Sequence, residues 1–161
     1  MSDWLEAGTP IPSFSLPDAD GKQLRSSQWA GSPLVIYFYP KDDTPGCTKQ
    51  ACAFRDAASE LKRLGANLVG ISADSSSSHA RFREKYDLDF PLLADVDHVV
   101  SQMFGAYREK NMYGKKSMGI QRSTFLVDSK GVIAKVWKRV QVAGHDKQVI
   151  AALQSLRLGT T

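Results

Sequence analysis

The chain has 161 residues, 42% of them apolar and 24% charged, with 12 Gly, 7 Pro, 2 Cys, 3 His and a formal charge of +4. That length and apolar content suit a single domain, residues 1–161, whose core buries roughly two thirds of the unfolded surface, which argues against disorder and fibrous repeats. The longest apolar run, residues 34–39, falls far short of the roughly 20 residues a membrane helix needs, so no membrane partner is expected. Phe14, Leu16 and Leu24, set around turn residues 18–21, predict a small N-terminal β-hairpin. Residues 34–39 are apolar throughout and stop at Pro40, as expected of a strand covered on both faces. Ala51, Phe54, Ala57, Ala58, Leu61 and Leu64 recur at three and four residues, against Lys49, Arg55, Asp56, Glu60, Lys62 and Arg63 on the other side. They predict one helix ended by Gly65.

The pattern then repeats. Residues 68–72 read as a second apolar strand, serines 75–78 can cap a helix, and residues 79–86 continue it. Residues 90–94 give a short strand, and Val99, Val100, Met103 and Phe104 a helical stripe ended by Gly105. Residues 108–119 are polar and predict a surface loop. Residues 123–127 and 132–137 flank Asp128-Ser129-Lys130-Gly131, the strongest hairpin signal in the chain, and Val149, Ile150, Leu153 and Leu156 mark a closing helix. The sum is an α/β fold with a central mixed sheet and helices on both faces, parallel where crossovers are helical and antiparallel at the last hairpin.

The positive charge raises the question of a nucleic-acid partner. The basic clusters, Lys115-Lys116 and residues 135–139, suit solvated surface, and zinc-ligand spacing, RNA-binding aromatic motifs and Gly-rich phosphate loops are all absent from the sequence. No nucleic acid is therefore expected. Two cysteines with scattered His79, His98 and His145 do not form a zinc set, so neither metal nor other cofactor is expected. No basic residue precedes Lys22, which does not fit a signal or transit peptide. A cytoplasmic location follows as an expectation, where paired cysteines are more often reactive than structural.

The chemistry concentrates in residues 39–52, Tyr-Pro-Lys-Asp-Asp-Thr-Pro-Gly-Cys-Thr-Lys-Gln-Ala-Cys. Cys47 falls where the loop after the first long strand becomes a helix, so unpaired N–H groups and the positive end of the helix dipole point toward its sulfur. Such a position favours a thiolate; the plainer alternative is a small residue at a turn. Cys52 lies five positions on, about 140° around the axis and roughly 8.7 Å away between alpha carbons in an ideal helix. Disulfides rarely tolerate more than ~7 Å. If the two sulfurs join, the first turn or more of the helix must unwind; otherwise Cys52 is a plain core cysteine. A Cys-x-x-Cys pair would need no such rearrangement.

Pro40-x-x-x-Thr44-x-x-Cys47 resembles the active-site signature of the peroxiredoxins. The fuller run over residues 37–52 resembles the peroxiredoxin Q branch, also called bacterioferritin comigratory protein. Residues 122–128, Arg-Ser-Thr-Phe-Leu-Val-Asp, resemble that family's later strand segment, whose arginine reaches the active cysteine. The resemblance spans nearly the whole chain and implies a thioredoxin-like fold. It further implies reduction of hydrogen peroxide and organic hydroperoxides, with thioredoxin or glutaredoxin as the thiol donor. Under it Cys47 is the peroxidatic cysteine, Cys52 the resolving one, and Pro40, Thr44 and Arg122 complete the pocket. A C-terminal extension with a further cysteine is absent, which points to an intramolecular disulfide and a monomer. A thiol–disulfide oxidoreductase and a redox-sensing binding protein are the competing readings.

Overall fold

The computed structural model describes residues 3–158, so both ends of the expected 1–161 domain lie outside the described residues. Strands β1 (Ser15–Pro17) and β2 (Gln23–Arg25) pair antiparallel with Leu16 opposite Leu24. Asp18 shapes their turn, its carboxylate accepting from the N–H groups of Asp20 and Lys22 at 2.9 Å each. A 3-10 turn, Ser26–Trp29, leads into β3 (Leu34–Phe38). Then come α1 (Pro45–Asp56), α2 (Ala58–Arg63), β4 (Asn67–Ser72), α3 (Ser76–Tyr86), β5 (Leu92–Ala94) and α4 (Val99–Phe104). Strands β6 (Tyr107–Met112), β7 (Lys115–Ile120), β8 (Ser123–Val127) and β9 (Ile133–Trp137) precede the last helix, α5 (His145–Leu158).

The central sheet runs β5-β4-β3-β8-β9. Strands β3, β4 and β5 are parallel to one another, while β8 is antiparallel to β3 and β9. All of β3 is buried, and because successive side chains alternate across a sheet, it feeds two cores. Leu34, Ile36 and Phe38 pack with Phe104 of α4, Phe125 of β8 and Leu16 of the hairpin. Val35 and Tyr37 face the other side, where Tyr39, Phe54, Phe82, Val149 and Leu153 bring in α1, α3 and α5. The strand is thus fixed from both sides, and its carboxyl end delivers Tyr39 and Pro40 to the loop that starts α1.

Three expectations are corrected. Residues 108–119 are not a loop: β6 and β7 pair in register from Tyr107–Ile120 to Met112–Lys115. Tyr113 and Gly114 close that ribbon at φ 54° and 79°, left-handed at both turn positions as a two-residue hairpin with the right twist requires. Most of β7 is exposed, so no apolar alternation announces it. The single helix expected over residues 51–64 is two, bent at Ala57 (φ −89°, ψ 0°). The bonds from Ala57 N–H to Ala53 O and from Leu61 N–H to Ala57 O, both 3.0 Å, persist across the bend. The apolar stripe therefore runs through it, with no glycine or proline to mark the place. On α4, Val100 and Phe104 are buried, whereas Val99 and Met103 stand 52% and 40% exposed.

Candidate active site

Thr44 is the N-cap of α1 and Pro45 its first residue, which makes Cys47 the third. Proline suits that first position because the N–H it lacks would have no intrahelical partner there. The first helical bond runs from Thr48 N–H to Thr44 O, 2.8 Å. The N–H groups of Gly46 and Cys47 are left without intrahelical acceptors, facing the end of the helix where the dipole is positive. Cys47 is 2% exposed and its thiol is free, as is that of half-buried Cys52. Both belong to the one continuous helix α1, so the folded helix keeps them on different sides, as the spacing requires.

The second half of the site comes from β8. Its register sets Ser123 against Phe38, so the preceding residue, Arg122, arrives beside Tyr39 at the carboxyl end of β3. From there Arg122 Nη2 donates to Cys47 Sγ at 3.2 Å, and Nη1 donates to Gln50 Oε1 at 2.7 Å. Cys47 and Gln50 stand three residues apart on α1 and share a face, so one guanidinium spans both. Gly46 makes the approach feasible: a Cβ there would sit 3.1 Å from Arg122 Nη2. Thr44 is half-buried, and its hydroxyl donates to Lys41 O at 2.9 Å rather than capping the helix. Its oxygen keeps lone pairs to accept a further hydrogen bond. Pro40, half-buried, follows Tyr39 directly.

Sequence reasoning misses Gln50, Tyr37 and Lys110. Gln50, 2% exposed, carries one signal, its place one helical turn beyond Cys47. Burial pushes the Tyr37 phenol well above its ordinary range, with neighbouring Cys47 next in effect. Lys110 of β6 is pulled below its ordinary value by burial first and by the Arg122 charge second, with Cys47 acting the other way. It reaches this position only through the β6–β7 ribbon.

The profile of the AhpC/TSA family matches residues 7–136. Peroxiredoxin Bcp of Bacillus subtilis is 42% identical over 153 residues, covering 95% of this chain and 96% of that protein. Peroxiredoxin Bcp of Escherichia coli is 44% identical over 146 residues, 91% and 94%. Among solved structures, the bacterioferritin comigratory protein of Xanthomonas campestris, described for its alkyl peroxide reduction activity, superposes with a TM-score of 0.88 at 41% identity, covering 94% of this chain and 99% of its own. The fold is thioredoxin-like, and the chain belongs to the AhpC/TSA family, on its Bcp or peroxiredoxin Q branch.

Proposed function

We propose that this protein is a thiol-dependent peroxidase that reduces hydrogen peroxide and organic hydroperoxides with Cys47 as the attacking group. The thiolate sulfur bonds to one peroxide oxygen, the O–O bond breaks, and the departing oxygen takes a proton and leaves as water or alcohol. The sulfur, now a sulfenic acid, condenses with the Cys52 thiol, releasing water and forming an intramolecular disulfide. A thioredoxin-type donor, thioredoxin or glutaredoxin, then returns both thiols by exchange. The observation that carries the reading is the Arg122 guanidinium 3.2 Å from a cysteine sulfur at a helix N-terminus. A cycle closed within one chain needs no second copy, so we take residues 1–161 as one monomeric domain. A cytoplasmic site of action fits a cysteine pair whose disulfide is a step in a cycle and is reduced again by a thiol donor.

Ionisation is not the main source of rate. A cysteine of ordinary pKa, ~8.5, is already about a tenth thiolate near pH 7.5, so complete ionisation gains only ~10-fold, or ~1.4 kcal/mol. The remainder must come from holding the peroxide in line and from stabilising charge on the leaving oxygen, where one preorganised donor supplies about 3 to 4 kcal/mol. Arg122 and the free N–H groups at the start of α1 are the donors available. The Thr44 hydroxyl, its proton engaged by Lys41 O, can accept the peroxide O–H, and Pro40 limits the entry of water. No helix among the described residues is long and apolar enough to cross a membrane.

Stopped-flow mixing of the reduced protein with several hydroperoxides, followed by mass mapping, tests the reading. Rapid loss of peroxide and a Cys47–Cys52 linkage are expected. Reduction of insulin disulfides without consumption of peroxide would overturn it in favour of a disulfide oxidoreductase.

A further inference from the structure

The loop that carries Pro40 and Thr44 is held by a polar cluster that the peroxidase chemistry does not use. Asp42 and His79 are both buried, at 8% and 0% exposure. His79 Nε2 lies 3.0 Å from Leu93 O, and Nδ1 lies 2.7 Å from Asp42 Oδ2. A carbonyl oxygen only accepts, so Nε2 carries a proton. A second proton must then lie between Nδ1 and the carboxylate, since two bare lone pairs at that distance would repel. The cluster therefore holds one proton between His79 Nδ1 and the Asp42 carboxyl group in the protein interior. Tyr39 OH donates to Asp42 Oδ1 at 2.6 Å and Ser78 Oγ to Oδ2 at 2.8 Å. Asp42 N–H donates to Asp74 Oδ2 at 2.8 Å, and Asp74 also accepts from Ser72 Oγ at 2.7 Å. Outside the cluster the same helix holds the next residue: Lys85 Nζ and Tyr86 OH reach the Asp43 carboxylate at 2.8 and 2.7 Å. Asp43 adopts φ 57°, a left-handed conformation that costs a non-glycine residue free energy unless its surroundings hold it.

We propose that α3 is the mount of the reactive loop, and that the buried Asp42–His79 pair is a positioning element that sets Pro40 and Thr44 against Cys47 for the peroxide. The proposal rests on the peroxidase reading. The exposed Asp43–Lys85 pair contributes little by itself. The buried pair decides the geometry, because removing one partner leaves the polar atoms of the other unpaired in the interior, which the loop relieves by shifting. Removing both in favour of apolar side chains removes that mismatch and leaves only the single hydrogen bonds of Tyr39, Ser78 and Leu93 unmade. A shift of about 1 Å in a loop that orients substrate costs up to ~100-fold in rate.

The test compares two reagents on Cys47. Hydroperoxide needs the arranged pocket, whereas iodoacetamide needs only an accessible thiolate. His79→Leu and Asp42→Ala are each expected to slow peroxide oxidation of Cys47 by at least about tenfold, with alkylation within about twofold of the parent. The double variant Asp42→Ala/His79→Leu is expected to recover to within about threefold. Ser78→Ala and Tyr39→Phe, which each remove one hydrogen bond from Asp42, provide the same comparison where a single variant fails to fold, with smaller losses confined to the peroxide arm. Folded variants with parental peroxide rates, equal losses in both arms, or a double variant as slow as the singles would each overturn the proposal. A parent protein that consumes no peroxide would instead overturn the peroxidase reading itself.

Discussion

Arg122 does two things at once, and the two can be separated by substitution. Its Nη2 touches the sulfur and its Nη1 is anchored by Gln50 Oε1, so in the proposed reaction the anchor aims the cation and the cation meets the developing charge. Arg122→Met is expected to lower the second-order rate of peroxide oxidation by about 100-fold, the usual cost of one oriented donor. Gln50→Leu is expected to lower it by about tenfold through loss of aim alone. Stopped-flow rates measured to alkaline pH provide the check. If the arginine only ionised the thiol, both losses would vanish once the thiol is fully ionised; if it stabilises the leaving oxygen, they persist. Arg122 and the cysteines are legible in the sequence because a motif names them. Gln50 and Lys110 are not: one depends on the rotation of α1 toward β8, the other on a ribbon with little apolar surface to reveal it.

Under the proposed cycle, helix α1 must serve two states. Folded, it fixes Cys47 beneath Arg122; to let Cys52 approach, it must fray through at least its first turn. Local opening of that kind draws on segments whose stability lies well below the global value. The start of α1 lacks two local stabilisers: Thr44 makes no side-chain cap, and no acidic residue occupies the first turn. Both features would otherwise stabilise a helix N-terminus. Hydrogen exchange is therefore expected to be faster at residues 46–52 than at residues 53–56, where Phe54 is packed against Tyr37 with ring centroids 4.9 Å apart. Cys52→Ser is expected to consume one equivalent of peroxide and then stall with a dithiol donor; undiminished turnover would show that another thiol resolves the sulfenic acid. The opposing demands are readable from the five-residue spacing alone. The bend at Ala57 is not, because its flanking hydrogen bonds keep the apolar stripe unbroken. The sheet order follows from the same logic of strands: β3 is apolar on both faces and β8–β9 carries a clear turn, whereas β6–β7 offers neither signal.

Stability of the whole chain has its own titratable joint, distant in sequence from the cysteine helix but packed on it. His145 begins α5, is 1% exposed, and meets Trp137 of β9 and Phe54 of α1 edge-on at 5.2 and 6.1 Å between ring centroids. Gln148 Oε1 lies 3.0 Å from its Nδ1 and Thr124 Oγ1 2.8 Å from its Nε2. That set suits a neutral ring, with Nδ1–H donating to the amide oxygen and Nε2 accepting from the hydroxyl. Burial, the largest effect, holds the imidazole below its ordinary value of 6.5, against the opposing pull of Gln148 and Asp146. The unfolded chain therefore binds its proton first as pH falls. In that window the unfolded state holds more protons than the folded one, so stability is retained above 6.5 and declines as acid is added, by at most about 1.4 kcal/mol per pH unit for one such group. Denaturant midpoints measured from pH 8 to pH 5 should fall toward the acid end in the parent and fall less steeply in His145→Gln, whose side chain cannot charge. Because α5, β8, β9 and α1 meet at this ring, an unchanged slope would mean that acid opens the molecule elsewhere first.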